Sequence, residues 1–221
     1  GELTVARALY EQAARQSPDP SQREQAALRA ALLLVDEGRL DDAETRLRAL
    51  AEATEDPELR LQARIGLSSV LLERGNSGRA LSVLEDEDAA PLGVAWVVTL
   101  TQQRAACLIA AGDPQDAEAL WRAVLSEWSA DPDAVSQARL ALADLALGQR
   151  RADEAEALYR AALDGSDDRY VQARAILGVG QASAAAGRVE QARVLYERLI
   201  REYPEQSDLV EIAQVAQSGR P

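Results

Sequence analysis

The segment Gly187-Arg188-Val189-Glu190-Gln191-Ala192-Arg193-Val194-Leu195-Tyr196 sets a small residue, Ala192, five positions after a glycine and a bulky one, Tyr196, four positions further on. The same small–large couple recurs as Ala6/Tyr10, Ala43/Leu47, Ala80/Leu84, Ala117/Trp121 and Ala155/Tyr159. Successive alanines lie 37, 37, 37, 38 and 37 residues apart. A period of this length marks a repeat protein, in which each unit is one supersecondary element that buries its apolar face against its neighbours.

Composition is consistent with a helical array. Apolar residues make up 47% of the 221, with no Phe and no Met, and Ala, Leu and Val supply most of them. Alanine is the strongest helix former, and no period-two alternation persists along the chain. The formal net charge of −13 argues against nucleic acid and against anionic membrane surfaces, both of which require a basic footprint. All positive charge is arginine, because the sequence contains no lysine. The single cysteine, Cys107, cannot form an intrachain disulfide and is expected to be a small buried hydrophobe. No run is expected to reach the ~18 apolar residues of a membrane span. The chain is also expected to continue upstream of Gly1, since it opens on a second-type helix without its first-type mate and has no methionine.

Periodicity predicts a helix over 2–16, ended by Ser17-Pro18-Asp19-Pro20, where two prolines stop propagation. Helix pairs are then predicted at 21–37 with 40–53, 57–74 with 77–86, 93–111 with 114–128, 132–147 with 152–164, and 168–186 with 189–203. A short helix at 206–217 follows. Gly38, Gly75, Gly112, Gly148 and Gly187 each fall after the first helix of a pair, where a left-handed C-cap favours glycine. Asp56-Pro57 and Asp113-Pro114 read as N-caps followed by proline in the first turn. The expected organisation is a single solenoid: a second helix at 1–20, repeats at 21–56, 57–91, 92–131, 132–167 and 168–204, and a capping helix with tail at 205–221. In that cap Leu209, Ile212, Ala213 and Ala216 form the apolar stripe.

These residues resemble the tetratricopeptide repeat family. Its second helix carries a small residue, an aromatic four later, an alanine three after that, and a proline near the end of the repeat. Ala6-Tyr10-Ala13-Pro18 matches all four, and Ala192-Tyr196-Leu199-Pro204 nearly does. Val179-Gly180 fits the leucine–glycine slot of the first helix. The resemblance covers essentially the whole chain, although the family's usual period is about 34 residues. It implies an all-α right-handed superhelix whose concave groove, lined by the first helix of each pair, holds a segment of another protein. The longer period, with the Arg201-Glu202-Tyr203-Pro204 ending, resembles tetratricopeptide modules of bacterial cell-envelope proteins and points to that compartment. The residues themselves leave the compartment open.

Catalytic chemistry finds no foothold. Histidine is absent, which removes the commonest general base and transition-metal ligand. The absence of lysine excludes a phosphate-loop lysine and Schiff-base chemistry. No enzyme activity, metal or cofactor is expected. Counting back from the turn glycines, the groove positions that the resemblance implies are Gln25, Leu28, Arg29 and Leu32, then Gln62, Ile65, Ser69 and Leu72, then Thr99, Gln102, Gln103 and Ala106. A carboxylate clamp built from lysines and asparagines is ruled out, because Asn76 in a turn is the only asparagine. Two further features are singled out. Trp96, in the apolar stretch 89–100, is either buried within the array or part of a patch for a partner or a homodimer. The acidic run Glu85-Asp86-Glu87-Asp88 is expected to be a fraying helix end, with a landing site for a basic partner or a loose calcium site as the alternatives. The expected function is a non-enzymatic scaffold that binds a peptide or helix of a partner protein. The alternatives are a structural spacer or oligomerisation module, or a sensor segment of a larger regulatory protein.

Overall fold

A computed structural model describes residues 1–218; the end of the expected tail, 219–221, lies outside the described residues. Twelve α-helices follow in order: α1 Glu2–Gln16, α2 Pro20–Asp36, α3 Leu40–Ala53, α4 Pro57–Glu73, α5 Ser77–Ser82, α6 Val94–Ala111, α7 Pro114–Glu127, α8 Pro132–Gly148, α9 Ala152–Asp164, α10 Arg169–Ala185, α11 Val189–Glu202 and α12 Ser207–Ser218. Among the described residues there is no strand. The expected all-α class therefore holds. The chain divides into two compact units, Gly1–Ala117 and Glu118–Pro221, and the boundary falls within α7.

Local chemistry explains the helix starts. Asp19, Asp56, Asp131 and Asp168 are N-caps whose carboxylates accept from the free N–H groups of the first turn; Asp168 accepts from Tyr170 and Val171 at 2.7 and 3.0 Å. Each such cap contributes about 1 kcal/mol relative to alanine. Loops of two to four residues then force consecutive helices to pack antiparallel, except between α5 and α6, where residues 83–93 intervene and include a 3-10 turn at Ala90–Leu92. Four of the five expected turn glycines take positive φ: Gly38, Gly75, Gly112 and Gly187. Gly148 does not. It is the last residue of α8, and the left-handed position falls to Arg150 at φ 62°. Arg150 is also the residue five before the anchor Ala155, which is the turn position in the other repeats.

In unit 1 the core gathers Leu34, Ala43, Leu47, Ala63, Leu71 and Ala80. A second cluster sets Leu61, Leu84, Ala89 and Leu100 together, with Trp96 and Val97 packed against it. In unit 2, Tyr159 sits among Ala143, Ala155, Val171, Ala175 and Val179, and Tyr196 among Ala192, Leu177, Leu199 and Ala213. Close approach explains two glycines here. A Cβ on Gly180 would lie 2.5 Å from Cε1 of Tyr196, and one on Gly178 would collide with the Tyr159 ring. Five of the six bulky anchors are no more than 4% exposed. Tyr10 is the exception at 41%, because α1 packs against α2 on one side only.

An ionic seam joins successive repeats. The glutamate that follows the anchor alanine reaches arginines at the turn of the next repeat. Glu44 pairs with Arg74 at 2.7 Å and Arg79 at 3.4 Å, Glu118 with Arg151 at 2.7 Å, and Glu156 with Arg188 at 2.6 Å. The first junction uses the reversed charges, Arg7 with Glu37 at 3.0 Å. After Ala80 the position is Leu81, and the turn Gly112-Asp113-Pro114 carries no arginine. Exposed pairs of this kind are worth ~0.2–1 kcal/mol each, so the seam sets register more than it adds stability.

Three expectations need correction here. The helix expected over 77–86 stops at Ser82, and residues 83–86 turn. Acidic groups at a helix C-terminus oppose its dipole, and Arg104 offers the carbonyls a better donor: its Nη2 donates to the Leu84, Glu85 and Glu87 oxygens, the last two at 3.0 and 2.9 Å. The stripe expected on α12 is narrower, since Leu209 and Ala213 are buried whereas Ile212 and Ala216 are exposed. Lastly, α6 is 18 residues long with a mean hydropathy of 1.2, enough to pass for a membrane span by length and composition. It packs against α4 and α5, with 17% of its length buried, and carries Arg104.

Candidate functional site

The first helices of unit 1 bring part of the expected groove together. Gln25, Leu28 and Arg29 of α2 and Gln62 of α4 surround one depression of about 260 Å³, completed by Asp56, Glu58 and Leu59. Spacing explains the convergence. Gln25 and Gln62 each precede the buried alanine of their helix, Ala26 or Ala63, so both side chains leave the same face of their repeats. Leu28 is 2% exposed and belongs to the core, where it forms an apolar floor with Leu59. The rim is polar. Gln25 and Arg29 are exposed, and Gln62 Nε2 donates to Glu58 Oε1 at 3.2 Å. Asp56 has its Oδ1 engaged by the amides of Glu58 and Leu59 at 2.9 and 3.3 Å. One guanidinium facing two carboxylates, over an apolar floor, can hold a polypeptide segment by charge-assisted hydrogen bonds.

The remaining candidates lie elsewhere in unit 1. Ile65 and Trp96 are half-buried against the Leu61–Leu84–Ala89–Leu100 cluster. Ser69 Oγ donates to the Ile65 carbonyl at 3.1 Å and Thr99 Oγ1 to that of Ala95 at 2.8 Å, so both hydroxyls serve their own helices. Gln103 Nε2 donates to buried Ser68 Oγ at 3.2 Å, and Ser68 shares a 3.3 Å contact with Cys107 Sγ. Cys107 is fully buried, and burial raises its thiol above the usual value. Gln102 is exposed, Leu32 and Leu72 pack against the first core cluster, and Ala106 is half-buried.

The last two residues of the acidic run are held from within, while Glu85 and Asp86 are exposed. Glu87 pairs with Arg64 at 2.8 Å and with Arg60 at 3.6 Å, and its side chain is 7% exposed. Asp88 Oδ1 caps the Ala90 amide at 2.9 Å. Among the described residues, no group of three or more His, Cys, Asp or Glu is placed to hold a metal ion.

Asp56, Glu58 and Leu59 were missed as lining residues. In the sequence, Asp56-Pro57 reads only as helix punctuation, yet a cap on α4 necessarily projects beside the neighbouring first helix α2. In unit 2 the positions equivalent to Gln25 and Gln62 are Gln137 on α8 and Arg174 on α10, and Asp144 of α8 engages the arginine. Asp144 also accepts from the buried Tyr159 hydroxyl.

Comparison with known proteins agrees with this architecture. A family model described as a tetratricopeptide repeat-like domain matches residues 1–125. A tetratricopeptide repeat model matches 108–169 and 140–207. BtubC (BKLC) from P. vanneervenii, a crystal structure, is 18% identical with a TM-score of 0.73, over 100% of this chain and 94% of that one. TTC0263, a thermophilic TPR protein in Thermus thermophilus, is 23% identical with a TM-score of 0.55, over 87% and 98% respectively. At such identities the likeness extends to the fold alone. No curated protein matches. Antiparallel helix pairs at a 37-residue spacing, small–large couples buried between them, and a family model covering the first 125 residues lead to one assignment: this chain belongs to the tetratricopeptide repeat family.

Proposed function

We propose that unit 1 binds a segment of a partner protein along the first-helix face of α2 and α4, without catalysis. Tetratricopeptide repeats in general mediate protein–protein interaction; the finer reading rests on one observation. Gln25, Arg29 and Gln62 meet Asp56 and Glu58 around a single depression with an apolar floor. Amide side chains both donate and accept, so Gln25 and Gln62 suit the backbone or polar flank of an incoming segment. Arg29 suits a carboxylate or carbonyl, and Asp56 with Glu58 suits a basic side chain. The net charge of −13 favours a cationic segment through long-range steering. The compartment we favour is the bacterial cell envelope, on the strength of the 37-residue period and the Tyr203-Pro204 ending.

The test is selection from a displayed peptide library against the 221-residue chain, with affinities then measured by fluorescence anisotropy. Replacing Gln25, Arg29 and Gln62 with alanine should weaken selected peptides by at least about tenfold, about 1.4 kcal/mol. Arg174→Ala in unit 2 should leave them unchanged. Peptides that bind the triple variant as tightly as the parent would refute the site.

A further inference from the structure

Three helices of unit 1 meet at one buried hydroxyl beside the depression. Thr54, 6% exposed, closes α3, where its N–H donates to the Leu50 carbonyl at 3.0 Å. Its Oγ1 donates to Glu24 Oε2 on α2 at 2.7 Å and accepts the N–H of Asp56 at 3.2 Å. Neither Glu24 nor Thr54 lines the depression, but their neighbours do: Gln25 follows Glu24, and Asp56 is the N-cap of α4. The chain Glu24–Thr54–Asp56 therefore ties the α2 side of the depression to its α4 side.

Half of this strut is ordinary helix-start chemistry. A serine stands two residues before the caps Asp19, Asp131 and Asp168, and Ser17 and Ser166 likewise accept the cap's N–H, at 3.3 and 3.2 Å. The half that crosses to α2 is particular to the first repeat. Where Glu24 stands, the other repeats carry Leu61, Val98, Ser136 and Ala173. A half-buried carboxylate at such a position costs desolvation unless a hydrogen bond offsets it, and packing of the repeat does not call for one. At the next junction of unit 1 the positions of Thr54 and Asp56 are taken by Pro91 and Gly93, which offer neither hydroxyl nor carboxylate.

We infer that Glu24 and Thr54 are positioning residues for the depression, and that what they position is a carboxylate pair reading a basic side chain of the bound segment. The inference rests on the binding site proposed above. Asp56 Oδ1 accepts the Glu58 amide at 2.9 Å, so holding Asp56 against α2 also fixes where Glu58 begins. A charge-assisted contact depends on that geometry more than a neutral one does. The strut thus separates segments that carry Lys or Arg at this point from those that do not.

The experiment measures fluorescence anisotropy of labelled peptides selected against the 221-residue chain, together with copies in which each Lys or Arg is replaced singly by alanine. Replacing both partners of the strut by apolar groups leaves no buried polar group unpaired, so Glu24→Leu/Thr54→Val should keep the parent's urea midpoint. Its affinity for the peptides should still fall at least about fivefold, ~1 kcal/mol. A peptide copy lacking the basic residue read by Asp56 and Glu58 should not show that fall. Thr54→Ser, which keeps the hydroxyl, and Glu24→Gln, which keeps an acceptor but no charge, should both bind like the parent. If the double variant unfolds early, Glu24→Leu alone, the residue type of the second repeat, takes its place with the same expectations. A double variant that binds like the parent, while alanines at Gln25, Arg29 and Gln62 abolish binding, overturns the strut and leaves the depression standing. Peptides indifferent to those alanines overturn the depression and the strut with it. Selected peptides without Lys or Arg, a loss equal for every peptide copy, or a loss with Glu24→Gln also overturn the inference.

Discussion

Replacing Gly180 with alanine gives opposite expectations from helix propensity and from packing. Gly180 lies inside α10, where alanine is favoured over glycine by about 0.8–1 kcal/mol. The structure adds a collision: the new Cβ would sit 2.5 Å from Cε1, 2.9 Å from Cδ1 and 3.1 Å from Cζ of Tyr196. Tyr196 is buried between α10 and α11 and cannot swing into solvent. Overpacking of this kind costs about 1–3 kcal/mol, so the net expectation is a loss of up to about 2 kcal/mol. Tyr196→Ala alone removes a buried aromatic and should cost about 3–5 kcal/mol. In that background the collision is gone, and Gly180→Ala should become stabilising by up to about 1 kcal/mol. The sign reversal is the signature. Native-state hydrogen exchange of the α10 and α11 amides measures it locally, without treating the chain as one cooperative body. Gly180→Ala with the same stabilising effect in both backgrounds would show that Tyr196 does not rest on Gly180.

Arg150→Gly should raise the stability of unit 2 by about 1 kcal/mol, because only glycine occupies the left-handed region without cost; thermal melts check it. Arg104→Met removes a donor to three carbonyls and should destabilise by about 1–3 kcal/mol, with faster exchange at 83–89 than elsewhere in unit 1. Glu156 feels burial, which raises its pKa, but hydrogen bonds from Arg160 and Arg188 outweigh it and leave the carboxyl below its ordinary 4.5. Its contribution is therefore complete above that value and fades as pH falls through the lowered one. Glu156→Gln should reduce stability at pH 7 and converge with the parent in acid, measured by urea midpoints across pH. Burial of the Cys107 thiol should make its alkylation slow in the native chain and fast in urea.

Much of the architecture could be read from spacing alone. Twelve helices and five of the six buried couples follow from a period and from Asp, Pro and Gly at fixed offsets, because caps and turns are local chemistry. What escaped depended on neighbours. Gly148 is a plausible turn glycine by type, but the repeat phase assigns the turn to Arg150, and counting back from Ala155 would have found it. The end of α5 at Ser82 was hidden because its cause, Arg104, lies about twenty residues downstream on another helix. The site was legible in half. Gln25 and Gln62 follow from helical phase, whereas Asp56 and Glu58 line the depression through the way α4 begins beside α2. Leu28 was indistinguishable from a groove residue because floor and core share the same apolar chemistry.

The lapse in the seam at Leu81 has a consequence for how such an array comes apart. Glu44, Glu118 and Glu156 latch their repeats onto the next one, but the link after α5 has no such ion pair: there Arg104 grips carbonyls of residues 84–87, beyond the six-residue helix, beside the Leu61–Leu84–Ala89–Leu100 cluster. Heated or pulled from its ends, unit 1 should let go there first, shedding α6 while α2, α3 and α4 remain zipped.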